Sequence, residues 1–328
     1  MPLIFACVIV LLAGHATLSQ SAQTGRPDGG GRFPDKPIRI IVPFSPGGGT
    51  DFMARIVAQK LTEAWGQSVI VDNRPGAGST LGTGMVAKAT PDGHTIGLVS
   101  TEHSIMPSIY KQLPYHPARD FTAINQNIRQ SYFVVVNPAV EATSIQELIA
   151  AIKARNGGFV WGTPHWSVGH LAGELLKLRT GVQMVHVPYK GTGPALIDLM
   201  GGQISLMFSS PLAVLPHIRT GKLRALGITG ASRSSMAPDL PTVAEAGMPG
   251  FEATGWNGFV APAKTPEAIV ARLNNEIVRL LALPDVRDRI AREGSEPVAS
   301  SSRAFAALIA QELIKWAKVV KDANIRLE

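Results

Sequence analysis

Ile38-Arg39-Ile40-Ile41-Val42-Pro43-Phe44-Ser45-Pro46-Gly47-Gly48-Gly49-Thr50-Asp51, continued by Phe52-Met53-Ala54-Arg55-Ile56-Val57-Ala58-Gln59-Lys60-Leu61, is the stretch that decides the fold. The β-branched run Ile38 to Val42 reads as a buried strand closed by Pro43. Three glycines then free the backbone to approach a bound group closely. Thr50 or Asp51 is the expected cap of a helix whose apolar positions Met53, Ile56, Val57, Leu61 and Trp65 recur at helical spacing. Strand, glycine turn and helix N-terminus together present bare N–H donors and the positive end of a helix dipole to an anion. Asp51 and Arg55 are spaced for an i,i+4 pair, for which a solvated helix face is the default.

Outward from this stretch the same syntax repeats. Gly66 ends the helix, Ser68 to Val71 forms a second strand, and Asn73-Arg74-Pro75-Gly76-Ala77-Gly78-Ser79-Thr80 makes a second glycine loop before a short helix to Ala89. Strand Thr95 to Val99 ends in the polar cluster Ser100 to Ser104. Successive strands ending in small or polar loops place those loops on one edge of an open α/β sheet, where ligands bind. From Tyr132 the alternation restarts. Strands at Phe133–Val136, Phe159–Gly162, Met184–Val187, Ile204–Phe208 and Leu223–Thr229 are interleaved with helices, the first opened by a capping box at Ser144 and Glu147. Pro238 to Gly250 breaks the rhythm, with a short helix expected around Val243 to Ala246.

Two last helices, from Thr265-Pro266 and from Arg303, have no sheet of their own and should pack back on the first lobe. The chain must then cross between lobes twice, near Asn127 to Tyr132 and near Ala253 to Asn257. The expected architecture is α/β: two doubly wound lobes with a double crossover, hinged around a cleft, as in a type II (Venus-flytrap) binding protein. The boundaries are 33–128 for the first part of lobe 1, 129–254 for lobe 2, and 255–328 for the return to lobe 1.

Composition agrees with a globular chain: of 328 residues, 45% are hydrophobic and 17% charged. The net charge of +7 is scattered, with no basic block interleaved with aromatics, so nucleic-acid binding is not expected. Leu3 to Ala13 is an uncharged apolar run, far short of the roughly 20 residues that span a bilayer. Small and polar residues follow it, as after a secretory h-region, although no Lys or Arg precedes Arg26. A signal peptide over 1–22, cleaved between Ala16 and Ala22, and a flexible lead-in over 23–32 are expected. The single cysteine, Cys7, falls within the leader, so the exported chain would hold no disulfide, which suits a bacterial periplasm.

Enzyme chemistry finds little footing. No G-K-[ST] follows a glycine run, and Gly82 and Gly84 lie within a helix, where small residues serve close packing. Ser100, Ser167, His165 and His170 can be assembled into a hydrolase only on paper, because no G-x-S-x-G elbow exists. The five-residue spacing of His165 and His170 is off helical register, and no H-E-x-x-H occurs, so no metal and no cofactor are expected. Trp166 is suited equally to stacking on a ligand and to covering the second-lobe core.

Several motifs along the chain, taken in order, resemble the Bug family: Val42-Pro43-Phe44 with Gly47 to Asp51, Asn73 to Gly78, Ala89 to Gly93, Leu113-Pro114-Tyr115, His186 to Gly191, and Leu240 to Gly247. These are the periplasmic solute-binding proteins of tripartite tricarboxylate transporters. The resemblance runs from about Phe33 to the end. It implies two α/β lobes, no catalysis, a small carboxylate in the cleft, membrane permease subunits as partners, and a monomer. It further implies that the two glycine loops hold one carboxylate through backbone N–H groups and waters: Phe44, Ser45, Gly48, Gly49 and Thr50 from the first, and Gly76, Ala77, Gly78, Ser79 and Thr80 from the second. Ser100 and Thr101 join them, and discrimination among ligands is expected from lobe 2 at Thr163 to Ser167, Tyr189 to Gly191 and the Phe208 to Ser210 strand end, with Thr163, Ser167, Tyr189 and Ser209 as the candidates. Ser205 and Ser209 stand where the family pattern commonly offers Asp, which favours acids without an amino group and leaves Glu102 as the nearest alternative acceptor. A receptor that presents its ligand to a sensor domain is the alternative role, with a hydrolase behind it.

Overall fold

The computed structural model describes residues 33–155 and 157–325, so the expected leader and lead-in lie outside the described residues. In chain order the elements are β1 (Ile38–Val42), α1 (Gly49–Trp65), β2 (Val69–Asn73), a 3-10 turn (Ala77–Ser79), α2 (Thr80–Ala87), β3 (Thr95–Ser100), α3 (Glu102–Ile109) and β4 (Phe121–Ser131). Then follow β5 (Phe133–Val136), α4 (Ile145–Ala154), β6 (Val160–Pro164), α5 (Val168–Thr180), β7 (Val185–Tyr189), α6 (Thr192–Met200), β8 (Leu206–Ser209), α7 (Pro211–Arg219) and β9 (Arg224–Ile228). The chain closes with β10 (Thr254–Pro262), α8 (Glu267–Leu281), α9 (Pro284–Arg292), β11 (Glu296–Pro297) and α10 (Ser302–Asp322).

These strands form two sheets, ordered β11-β4-β10-β3-β1-β2 and β7-β6-β8-β5-β9. In the first sheet β1 lies between parallel neighbours β2 and β3, so the chain reverses its winding direction between β1 and β3. In the second sheet β6 stands in the same position between parallel β7 and β8. Loops leaving the carboxyl ends of strands at such switch points bound a crevice. The crossovers fall where expected, at the β4–β5 junction and at the start of β10. There β10 runs antiparallel to both β3 and β4, with register shifts at Asn257/Gly258 and Phe259/Val260.

Local chemistry explains several helix ends. Gly66 takes the left-handed conformation (φ 68°) that terminates α1. Ser144 accepts a bond from Glu147 N–H at the start of α4, while the Glu147 carboxylate accepts from Thr143 N–H. The start of α1 differs from expectation: Gly48 is the N-cap, extended at φ −86° and ψ 170°, and no side chain caps the helix. Thr50 and Asp51 lie inside its first turn. The segment Val243 to Ala246 is a hydrogen-bonded turn rather than a helix, because Thr242 is drawn into a bridge with Ile228 of β9. The long strand β4 and helices α3 and α9 had no clear periodicity to announce them.

The cores do not follow the two sheets. α8 buries Ile269, Val270, Leu273, Ile277 and Leu280 against the first sheet, each worth about 1.5–3 kcal/mol when fully covered. α10 departs from the expectation that the C-terminal segment returns to lobe 1 alone. Its first half places Phe305 and Ile309 with Trp256 and Val260 of lobe 1, while Trp316, Val319 and Val320 enter the core of lobe 2 beside Leu171, Ala172 and Phe208. Ile105, Met106 and Ile109 of α3 join that same core.

Candidate functional site

A cavity of about 810 Å³ opens between the two sheets, at both switch points. Lobe 1 supplies Phe44 to Met53, excepting Asp51, and Ser100 to Glu102. The hinge strands supply Ile128, Gln130, Tyr132 and Gly255 to Asn257. Lobe 2 supplies Val168, Lys190, Gly191, Thr192, Ser210 and Leu212.

The glycine turn after β1 is held by a buried carboxylate. Asp51, 3% exposed, accepts from Gly47 N–H (2.9 Å), from Arg55 Nε (2.9 Å) and from Asn73 Nδ2 (2.9 Å). Asn73 Nδ2 also donates to Phe44 O, and Arg55 donates to Asn73 Oδ1. Burial opposes the Asp51 charge, but the bonds from Arg55, Gly47 and Asn73 together hold its pKa below the usual carboxylate value. Asp51 is therefore an anchor for the loop rather than half of a solvated pair, with the Gly47 N–H committed to it. The first-turn N–H groups from Gly49 onward lack helical acceptors and face the same end as the cavity. A side chain added at Gly48 or Gly49 would meet no protein atom within 4 Å.

The second glycine loop is built differently. Gly76, Ala77, Gly78 and Ser79 all take positive φ (136°, 47°, 60° and 77°), and Gly78 packs so tightly that a Cβ would lie 2.7 Å from Met106 Sδ. Thr80 Oγ1 donates to Ala77 O within the loop. None of Gly76, Ala77, Gly78, Ser79 or Thr80 lines the cavity.

In lobe 2 three of the four expected discriminating residues, Thr163, Ser167 and Tyr189, bond to protein groups, while the buried Ser209 hydroxyl has no hydrogen-bond partner among the described residues. Fully buried Thr163 pairs through Oγ1 with His186 Nε2 at 3.0 Å. Ser167 caps α5, accepting from His170 N–H and donating to Pro164 O. Tyr189 Oη donates to Asp198 at 2.6 Å, and burial followed by that carboxylate pushes its pKa up to about 12. Ser209 is 2% exposed, opposite Phe133 in the β5–β8 ladder. Trp166 stacks on His165 (3.9 Å between ring centres) and packs against the lobe 2 core. The His186 and His170 rings stack at 4.1 Å, and burial followed by neighbouring charge lowers their pKa values to about 4 and about 2. These rings are thus neutral at neutral pH, and among the described residues no His, Cys, Asp and Glu group has metal-binding geometry.

Lys190, Gly191 and Ser210 line the cavity and fall within the stretches expected to discriminate among ligands, whereas Val168, Thr192 and Leu212 were not anticipated. Tyr189 and Ser209 are the last residues of β7 and β8, and alternation along a strand turns the residue that follows toward the opposite face. Glu102 and Glu293 also reach the cavity, and Ser100 Oγ donates to the Glu102 carboxylate. The side-chain charge of the wall is thus mixed, two acids against Lys190, and positive potential there comes chiefly from backbone and helix ends.

Two sheets joined by paired crossovers around one polar interlobe cavity define a two-lobed solute-binding protein. A family described as "Tripartite tricarboxylate transporter family receptor" matches residues 53–325, and the chain belongs to this family of periplasmic substrate-binding proteins, which are not enzymes. Protein BugT of Bordetella pertussis is 38% identical over 325 residues, covering 97% of this chain and 98% of the relative. Among solved structures, R. palustris Rpa4515 with adipate has a TM-score of 0.79 at 34% identity, covering 90% of this chain and 100% of that one. The periplasmic binding protein BugD gives 0.75 at 33% identity, covering 90% and 100%. MatC (Rpa3494) from Rhodopseudomonas palustris with bound malate gives 0.74 at 32% identity, covering 88% and 100%. Among the described residues, no helix is long and apolar enough to cross a membrane.

Proposed function

We propose that this protein captures a small carboxylate in the interlobe cleft and delivers it to the membrane permease subunits of a tripartite transporter. The observation that carries this reading is the uncapped start of α1, with its glycine turn locked by Asp51 and opening on the cavity. Backbone donors at a helix N-terminus favour an anion without dedicating a side chain to it, and waters bridge the remainder at small free-energy cost. The relatives that hold adipate and malate support the same class of ligand. Phe44, Ser45, Gly48, Gly49, Thr50, Ser100 and Thr101 form the lobe 1 wall of the proposed site, with Lys190, Thr192 and Ser210 across the cleft. The protein acts as a monomer in the periplasm, after removal of its leader.

The preference for acids without an amino group now turns on Glu102, since the lobe 2 wall of the cavity holds no acid. Ser209 is buried outside the cavity lining, whereas Glu102 and Glu293 are part of it and offer acceptors for an ammonium group. A melting screen over mono-, di- and tricarboxylates, including adipate, malate, and the succinate and aspartate pair, tests the reading. A ligand at 100 times its Kd stabilises the folded state by about 2.7 kcal/mol, which raises the melting temperature by several degrees. At least one acid should do so. Shifts confined to sugars or nucleotides would remove the carboxylate reading.

A further inference from the structure

We propose that Asn257 selects the ligand by donating a hydrogen bond from its side-chain amide to a ligand oxygen at the floor of the cleft. The inference rests on the carboxylate reading above and adds a residue and a direction of bonding to it. Asn257 stands on β10 beside the hinge, paired across the sheet with Ser100 of β3 and Ile128 of β4, at a break in the ladder register. It is 4% exposed, and it lines the cavity.

Its orientation is imposed from below by a chain of buried amides. Asn125 and Asn127, both fully buried, lie beneath it on β4. Asn125 Nδ2 donates to Asn127 Oδ1 at 2.8 Å, and Asn127 Nδ2 donates to Asn257 Oδ1 at 3.2 Å. Each amide has one acceptor end and one donor end, so the first bond fixes the sense of the second. The chain ends with Asn257 Nδ2, which has no protein partner among the described residues and is not among the fully sealed polar atoms. Reversing all three amides would bury an orphaned NH2 on Asn125, where the observed sense leaves only its Oδ1 without a partner. Buried orphan donors are rarer in native proteins than under-satisfied carbonyl oxygens. Three buried amides in a sheet that otherwise packs Ile, Val and Phe have no evident packing advantage. Their arrangement makes sense if its end product is a donor pointed into the cleft, which a carboxylate, keto or hydroxyl oxygen of the ligand accepts and an ammonium group cannot.

Calorimetric titration of wild type, Asn257→Ala, Asn257→Ser and Asn257→Asp with the panel acid that binds wild type most tightly, starting from adipate and malate, decides the matter. Ligand-free melting is measured alongside. Asn257→Ala should weaken binding by roughly 10- to 100-fold, the span of a hydrogen bond to a charged group. Asn257→Ser, which keeps a donor hydroxyl, should recover part of the loss. Asn257→Asp is nearly isosteric but turns the donor into an anion. Its loss should exceed that of Asn257→Ala at neutral pH and shrink, relative to wild type, as the pH falls and the new carboxyl takes a proton. A merely structural asparagine would show no such pH dependence of affinity. Unchanged affinity in the Ala and Asp variants, or tighter binding in Asn257→Asp, would overturn the proposal while leaving the carboxylate reading intact. If wild type binds no acid of the panel, both fall together.

Discussion

The two glycine loops of lobe 1 share a composition and little else. At Gly47 to Gly49 only Gly47 takes positive φ, the turn is pinned by Asp51, and the space above Gly48 and Gly49 is open to the cavity. At Gly76 to Ser79 four consecutive residues take positive φ, two of them not glycine, and the loop packs down on α3 away from the cavity lining. In one loop the missing Cβ leaves room for a ligand, while in the other it lets the backbone turn left-handed against Met106. Glycine content alone therefore marks a turn. Both following helices start without a side-chain cap, so what sets the first turn apart is the Asp51 anchor and the open space toward the cavity.

Substitutions at three positions test the contrast. The largest effect on stability is expected from Asp51→Ala, which strands three donors and should cost roughly 3 kcal/mol. Its pH dependence follows from the lowered pKa of Asp51. The contribution is complete above the unfolded carboxylate range and is lost as pH falls through the lower folded-state value, so Asp51→Asn should flatten the acid limb of the stability curve. Gly78→Val comes next, at about 2 kcal/mol, because a β-branched residue resists φ 60° and meets Met106. Gly49→Val should change stability least, by under about 0.5 kcal/mol, since it sits at φ < 0 with free space around it. That same side chain fills the space proposed for the ligand, and binding should vanish. Chemical denaturation and ligand titration on all four variants separate the outcomes. Loss of binding in a stable Gly78→Val, with Gly49→Val binding normally, would exchange the roles of the two loops.

Much of this was legible in the chain because it is written in local chemistry. The β-branched run at Ile38 to Val42, the left-handed Gly66 and the Ser144–Glu147 box each act over a few residues. The glycine turn and helix start at Gly47 to Thr50 were legible for the same reason, whereas Phe44 and Ser45 came only with the family resemblance. Lobe 2 was harder, since whether Tyr189 or Lys190 faces the cleft depends on where the strand ends, to within one residue. Asp51 was misjudged because one of the bonds that hold it comes from Asn73, which is distant in sequence. Asn257 carried no signal at all: its neighbours Asn125 and Asn127 meet it only through the β4–β10 pairing.

α10 sets a limit on treating the lobes as modules. Trp316, fully buried among lobe 2 side chains and tied through Nε1 to Glu312 at 2.6 Å, is delivered by a helix whose other half is packed into lobe 1. A fragment cut at 129–254 would leave behind Trp316, Val319 and Val320, together with Ile105 and Met106, and would expose the apolar wall they cover. Folding of lobe 2 must therefore wait for the last turns of the chain to be made, long after its own sheet has been synthesised. Until then the polypeptide carries an open hydrophobic face.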